Sequence, residues 1–534
     1  MIWLATALAG GGPASTQILY AADDPDSEAL ALYYAAARQL PNNRLCGVSG
    51  SFESTISWED FDALIRLPWE ACLRDDTDVL VLAKGLPYRV DLPYFTASLE
   101  AVLQVGRGTI DGLEVAGQGQ ASWGGHSYAS VKNPSVAYRG YIASDFSLNN
   151  PSESYYTTTS GLVRQPWPRG FRRDRLWRDP PVYMDGELLV VSRLDGWTFD
   201  DANSLVDRAL ASEEQTPEGT WLCMQAADSA RGPRDPECEF ALRKLAELGL
   251  DTTWLGSHDS ALSGYSVLAY LTGSANLRGA IDGITYAPGA FAENITSYGA
   301  VPNNFCEDCD ESQTSIARFV RAGASATHGT VNEPLNNVFP NAGVMLMYSQ
   351  GYALGESVLY NHRYLYWQSL LLGDPLMTPF DERPTVSVGS EVYAGIPLVF
   401  CGQHPRGVAR MEIWMDGELL KETTGDLLEW TFDELGEVEV LVIAVAKGRT
   451  LSAPAWPTIE LEINSDTQGW AVMALEVGEP PVVDTADSGL DTGDPIVEER
   501  CGCATGSPTP WSAVPLWALI ALRRRTRRVR KDGA

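Results

Sequence analysis

The chain has 534 residues, with 39 basic and 70 acidic side chains and a formal net charge of −31. That length suits about two to four domains with substantial cores. The charge excludes a nucleic-acid-binding surface, which needs a basic footprint, and nine cysteines are too few to staple a chain of this size.

In chain order, Met1–Ala9 is a short apolar stretch followed by Gly10-Gly11-Gly12 and Pro13-Ala14-Ser15, the pattern of an export leader through residue 16 without its basic n-region. Residues 17–380 read as α/β. Ile18–Ala21 is a short apolar strand, and Asp24–Ser27 opens a helix through Leu40 with acidic residues at its positive end. Trp58–Leu73 is a second helix. Asp78–Ala83, Leu188–Ser192, Trp221–Met224, Val267–Tyr270 and Ile281–Thr285 are apolar runs of the kind buried on both sheet faces. Helices are expected near 199–211 and 237–248. Strand–helix alternation predicts a mostly parallel sheet with helices on both faces.

Residues 106–181 break this rhythm with Ser, Tyr, Asn, Pro and Gly, and form an insertion over one end of the sheet. A small immunoglobulin-like β-sandwich is expected over 384–465, from Val408–Met415, a turn at Asp416-Gly417, Leu427–Phe432 and Val438–Val445. Residues 477–500 are an acidic linker, with Asp484, Asp487, Asp491, Asp494, Glu498 and Glu499.

The last segment, 501–534, holds Cys501, Cys503, the apolar run Trp511–Leu522 and seven basic residues from Arg523 to Lys531. Without the segment from Arg523, which also holds Asp532, 32 basic face 69 acidic residues, a net −37. A basic cluster after an apolar run holds that end on the cytoplasmic side of a membrane, so a transmembrane stage is expected. The tail resembles the MYXO-CTERM class of C-terminal sorting signals. That resemblance implies a C-terminal sorting protease as partner, processing or anchoring at Cys501 or Cys503, and a cell-surface or outer-membrane location in a Gram-negative bacterium.

The stretches Ser27–Arg38, Val79–Pro87, Gly283–Gly299, Ala322–Pro334 and Leu371–Phe380 resemble an uncharacterised family of exported bacterial α/β proteins with no established activity. Their layout is also similar to the caspase-like fold of gingipain-type peptidases. That likeness implies a histidine and a cysteine at the ends of adjacent strands. After Ile281–Thr285 the chain offers Tyr286, Pro288 and Gly289 instead.

His328, in Ala324–Thr330, is the first candidate for acid–base chemistry, with Glu333 or Asp282 as carboxylate partner. His126, in Trp123–Ser127, is the second. Ser297 and Ser325 lack the G-x-S-x-G context of a nucleophile elbow. Asp374 in Gly373-Asp374-Pro375 suits a turn cap, with calcium binding as the alternative. Cys223 and Cys238 suit a pair in an oxidising compartment. Cys306-Glu307-Asp308-Cys309 suits a local disulfide; it lacks the second ligand pair of a zinc site, so the sequence assigns no metal. No GxxxxGK[ST] or GxGxxG occurs, and no nucleotide or other cofactor is expected. Three readings stay open: an exported binding protein with an unknown surface ligand, a peptidase-like hydrolase using His328 or His126, and a structural component of the cell envelope.

Overall fold

The computed structural model describes residues 11–92, 96–104, 189–258, 262–277, 281–307, 313–334, 336–362, 368–389, 391–451 and 467–480. Short strand pieces are also described at 109–110, 121–123, 126–128, 131–132, 184–185, 364–365 and 461–463. Most of the expected insertion 106–181, residues 1–10 of the expected leader, the linker beyond 480, Cys501 and Cys503 lie outside these residues.

Strand β1 (Thr16–Ala21) leads into helix α1 (Pro25–Arg38), whose first amides, on Asp26 and Ser27, donate to the side chain of Asp24. Strand β2 (Leu45–Val48) follows. A helical stretch then runs from Trp58–Asp60 through a π-helical Phe61–Arg66 to Leu67–Cys72. Next come β3 (Val79–Ala83), α2 (Leu99–Leu103), β4 (Val190–Leu194) and α3 (Phe199–Glu214). The last is opened by a capping box between Thr198 and Asp201. The second half contains β5 (Thr220–Met224), α4 (Asp235–Glu247), β6 (Thr252–Leu255), β7 (Ser266–Thr272) and β8 (Thr285–Asn294). It continues with α5 (Ile316–Ala322), β9 (Ala326–Thr330), α6 (Gly343–Ser349), α7 (Leu354–Asn361) and β10 (Ser369–Gly373).

These ten strands form one sheet in the order β6-β5-β7-β8-β9-β10-β4-β3-β1-β2. Strands β1 to β4 pair in parallel, as do β5 to β9, and β10 runs antiparallel to β9. The mixed α/β architecture with helices flanking a largely parallel sheet therefore stands. Val79–Ala83 is buried at every position, which is why the segment reads as an unbroken apolar run.

One expected strand is displaced. Ile281 closes a helical turn through its amide to Leu277 (3.0 Å), and Asp282 and Gly283 form a turn. The strand runs instead from Thr285 to Asn294 and passes through Pro288 and Gly289 as a bulge: the register against β7 shifts between Val267 and Ala269, and Gly289 takes φ +84°. Its C-terminal end is Asn294, nine residues beyond the predicted end at Thr285.

The expectation of a transmembrane segment, and with it of a membrane contact through the tail, is corrected. Among the described residues no helix is long and apolar enough to cross a membrane. The run Trp511–Leu522 itself lies outside them. At twelve residues, broken by Pro515, it falls short of the roughly 17 that a spanning helix needs.

C-terminal to the α/β body, two small sheets share an apolar core. Three strands, β11 (Thr385–Val388), β13 (Leu398–Gln403) and β16 (Leu427–Trp430), pair in the order β11-β13-β16. The other five are β12 (Val392–Tyr393), β14 (Val408–Met415), β15 (Glu418–Thr424), β17 (Gly436–Ala446) and β18 (Gln468–Gly478), in the order β12-β18-β17-β14-β15. Asp416 and Gly417 both take positive φ, 53° and 77°, as a tight hairpin turn requires. On β17, Val440, Val442 and Ala444 face the core shared with Phe400 and Met411. Leu441, Ile443 and Val445 pack on the other side with Trp414 and with Ala14, a residue of the expected leader. Both faces of this strand are covered, so its sequence is apolar without alternation.

A buried charge network ties these parts together. Arg38, at the end of α1, donates through Nε to Asp374 (2.6 Å) and through Nη1 and Nη2 to Glu213 (2.7 and 3.1 Å). Tyr34 donates to Asp374 (2.9 Å), which also accepts from the Leu376 amide (3.0 Å). Asp374 thus caps a turn, and its oxygens are committed to these partners rather than to calcium. Arg383, in the segment between the two bodies, donates to both oxygens of Glu213 (2.9 and 3.1 Å) and to the Gln468 carbonyl (2.9 Å). Its guanidinium lies 4.6 Å from the Trp470 ring centroid.

Burial pushes the Glu213 carboxyl upward, but Arg38 and Arg383 outweigh it and hold it at about 2. An unfolded glutamate titrates near 4.3. The stabilisation is therefore complete above about pH 4 and lost as pH falls towards 2. Urea unfolding at pH 7, 4 and 2.5 should show a smaller acid-dependent loss in Glu213→Gln than in the natural chain. At pH 7 that variant should be less stable by about 3 kcal/mol, because buried Arg38 loses one of its two carboxylates and the partly buried Arg383 loses its carboxylate partner.

Candidate functional site

His328 is the third residue of β9 and sits opposite Glu293 of β8 in the strand register. Its Nδ1 lies 2.9 Å from Glu293 Oε1. The other Glu293 oxygen accepts from Arg234, which also donates to the Thr272 carbonyl (3.0 Å). On its far side, His328 Nε2 faces Nε2 of His362 at 3.2 Å, and the Phe339 ring packs edge-on against it with centroids 5.6 Å apart. His328 and Glu293 are 0% exposed, His362 4% and Arg234 5%. A carboxylate only accepts, so Nδ1 of His328 is the donor of this bond. Burial, and then the neighbouring His328, hold His362 well below the usual imidazole range. Burial opposes the charge on Arg234, but Glu293 more than compensates and raises its pKa. The result is an interior chain, Arg234–Glu293–His328–His362, in which both imidazoles are buried among the described residues.

A caspase-like dyad would stand at the ends of adjacent strands. At the ends of β7 and β8 stand Ser274 and Asn294, 4% and 1% exposed. They close on each other: the Ser274 amide donates to Asn294 Oδ1 (2.7 Å), and Asn294 Nδ2 donates to the Ser274 carbonyl (2.8 Å). The Ser274 hydroxyl donates to the Asn276 carbonyl (3.1 Å). Beyond β9 the chain continues with Val331 and Asn332. His258, after β6, has Nδ1 3.4 Å from the Gln225 carbonyl, while Cys223 on the adjoining β5 is fully buried.

The structure separates the other predicted residues. Asp282 is exposed and pairs with Arg318 (2.7 Å), away from His328. It lines an open cleft of about 410 Å³ with Trp197, Glu307, Arg318, Arg321 and Ala322. The Arg321 guanidinium lies 5.6 Å from the Trp197 ring. His126 belongs to a two-residue-turn hairpin, opposite Trp123, and its side chain lies outside the described residues. Ser297 donates to Glu333 (2.6 Å), a serine–carboxylate pair away from the His328 imidazole, which is committed to Glu293 and His362. Ser325 is buried and accepts from the Gly289 amide (2.8 Å). Cys223 and Cys238 are buried free thiols, hydrogen-bonded to each other; burial, then Cys238, push Cys223 well up. Cys306 is disulfide-bonded, and Cys309 lies outside the described residues. Among the described residues no group of three or more His, Cys, Asp and Glu side chains could hold a metal ion.

Sequence reasoning missed Glu293 and His362, and a second cluster. Arg193, fully buried on β4, donates to Glu100 (2.5 Å) and to the carbonyls of Leu86 (3.0 Å) and Pro87 (2.5 Å). Lys84 donates to Asp195 (2.7 Å) and the Gly196 carbonyl (2.8 Å). Glu100 is 3% exposed, and its Oε2 has no hydrogen-bond partner. It shares the lining of a small cavity, about 20 Å³, with Gln104, Ser369 and His362. Burial raises the Glu100 carboxyl despite Arg193. The one available signal was a charged residue inside an apolar strand, as at Glu293 and Arg193, because such a residue demands a buried partner.

No family model and no curated protein matches the chain. Among solved structures, a protease shares 9% identity, with 88% of this chain and 98% of that one covered, at a TM-score of 0.39. The PKD domain of human VPS10 domain-containing receptor SorCS2 matches at 15% identity over 19% of this chain and 76% of its own, TM-score 0.13. Fibronectin(III)-like modules of Clostridium thermocellum CbhA match at 15% identity over 18% of this chain and 100% of their own, TM-score 0.13. The likeness to the protease is weak and partial, and the β-rich module resembles these small folds only at low identity.

Glu293→Gln should leave Arg234 buried without its counter-charge. Urea titration should show a loss of about 3–5 kcal/mol, far more than for an exposed pair such as Asp282→Asn with Arg318, expected within about 1 kcal/mol.

Proposed function

We propose that this protein is an exported, noncatalytic binding protein built on a caspase-like α/β body, with the immunoglobulin-like module beside it as a spacer. The observation that carries the reading is the fate of the reactive groups. The histidine–carboxylate pair is interior, and the adjacent strand ends hold Ser274 and Asn294 locked to each other. A general base must come within hydrogen-bond reach of the proton that it takes. His328 is enclosed by Glu293, His362 and Phe339.

Export is supported by the disulfide between Cys46 on β2 and Cys72 at the end of the following helical stretch, and by Cys306 and Cys401, which are also disulfide-bonded. Binding is assigned to the cleft of Trp197, Asp282, Glu307, Arg318 and Arg321. Its volume falls in the range of ligand sites, and an aromatic face stands among charges of both signs.

The test is exposure of the full chain to a proteome-derived peptide library and to covalent probes for nucleophilic serine and cysteine. No cleavage and no site-specific label are expected. Cleavage that disappears in His328→Gln would overturn the reading.

A further inference from the structure

We infer that the export leader is cut between Ala9 and Gly10 rather than at the expected boundary after residue 16, and that Gly11–Thr16 stay in the mature protein as a strap between the sheet and the β-rich module. The inference rests on the export reading and adds the site at which the chain is processed.

The strap is the first argument. Every residue from Gly11 to Thr16 is buried. The Ser15 carbonyl accepts from the amides of Asp78 (2.9 Å) and Val79 (3.1 Å), and Thr16 opens the pairing of β1 with β3 opposite Val79. Gly12 and Ser15 close a turn on each other. The Ser15 amide donates to the Gly12 carbonyl (3.1 Å), and the Gly12 amide donates to Ser15 Oγ (3.3 Å). Ala14, 4% exposed, packs on the module among Trp414, Leu441, Ile443 and Val445. The approach is so close that a Cβ on Gly11 would run into Val79 of β3 and Leu376, and one on Gly12 into Gln468 of β18. A cut after residue 16 would remove the acceptor of the Asp78 and Val79 amides and uncover the apolar face under Ala14.

The sequence before the strap is the second argument. A leader peptidase takes small residues in an A-x-A pattern after an apolar run of about 7–15 residues. Ala7-Leu8-Ala9 meets both needs, since Ile2–Ala9 is eight residues long. The other such triplet, Ala5-Thr6-Ala7, leaves a run of only six. A cut after Gly10 or Gly11 would put the new α-ammonium on Gly11 or Gly12, both buried, where an unpaired charge is costly. Hydrolysis at Ala9–Gly10 consumes one water: Ala9 leaves as a carboxylate, and Gly10 becomes the new α-ammonium terminus.

The test expresses the full chain in a Gram-negative host, separates the exported fraction from the cytosol and reads the N-terminal sequence of the exported chain. Gly10-Gly11-Gly12-Pro13 is expected. Ala9→Arg should leave the leader attached, because the position before the cut is no longer small. Two shortened chains test the strap without export. One begun at Gly10 should unfold at the midpoint of the exported protein, and one begun at Gln17 should unfold several degrees lower. An exported chain that starts at any other residue overturns this cut and leaves export standing. A Gln17 chain as stable as the Gly10 chain overturns the strap. A chain held in the cytosol with residues 1–9 attached contradicts the export reading itself, and the cut with it.

Discussion

The structure depends on a carboxylate held between two guanidinium groups. Glu213 closes helix α3 and accepts from Arg38 of α1 and from Arg383 of the connecting segment. Arg38 in turn takes Asp374, the residue that turns the chain out of β10. Two helices, the last strand of the sheet and the entry to the β-rich module are thereby fixed by one set of charges. A pair this deeply buried contributes little as a simple sum, because desolvation offsets most of the attraction. Its value lies in specificity: any partner left alone in that place is expensive, so the helices and the module have one permitted arrangement.

The same constraint recurs elsewhere in the sheet. Arg193 meets Glu100, Arg234 meets Glu293, and each arginine spends its remaining donors on backbone carbonyls. Arg193 lies on β4 within the sheet and Arg234 on a short helical turn beside it, both buried. His328 belongs to this set of internal fastenings rather than to an open active centre. The strand ends at Ser274 and Asn294 repeat the theme in neutral form: the two groups use their hydrogen-bonding capacity on each other. A fold that consumes its polar groups internally retains few for chemistry, which supports the reading of a binding body.

Much of the architecture was legible in the sequence because burial on both faces leaves an unmistakable apolar run. Val79–Ala83 and the helix start at Asp24 followed from the apolar run and the acidic first turn alone. The end of β8 did not. Pro288 and Gly289 carry the local signature of a stop, whereas tertiary pairing carries the strand through them as a bulge to Asn294. The site was half legible. His328 stood out as a histidine among small residues, but the carboxylates named beside it, Asp282 and Glu333, are not the ones it meets. The actual partners lie 35 and 34 residues away, and only strand register and the return of the chain after α7 bring them together. The disulfide between Cys46 and Cys72 was missed for the same reason, since its two cysteines lie on separate elements 26 residues apart.

The central claim is that the histidine–carboxylate pair lies beyond the reach of solvent and substrate. Acylation of imidazoles by diethyl pyrocarbonate, read by mass spectrometry on the native chain, addresses it directly. His258 and His404 are partly exposed, whereas His328 and His362 are buried. The account predicts modification at His258 and His404, and protection of His328 and His362 until the chain is unfolded. Modification of His328 in the native state at a rate close to that of His258 would contradict it and return the pair to the list of reactive centres.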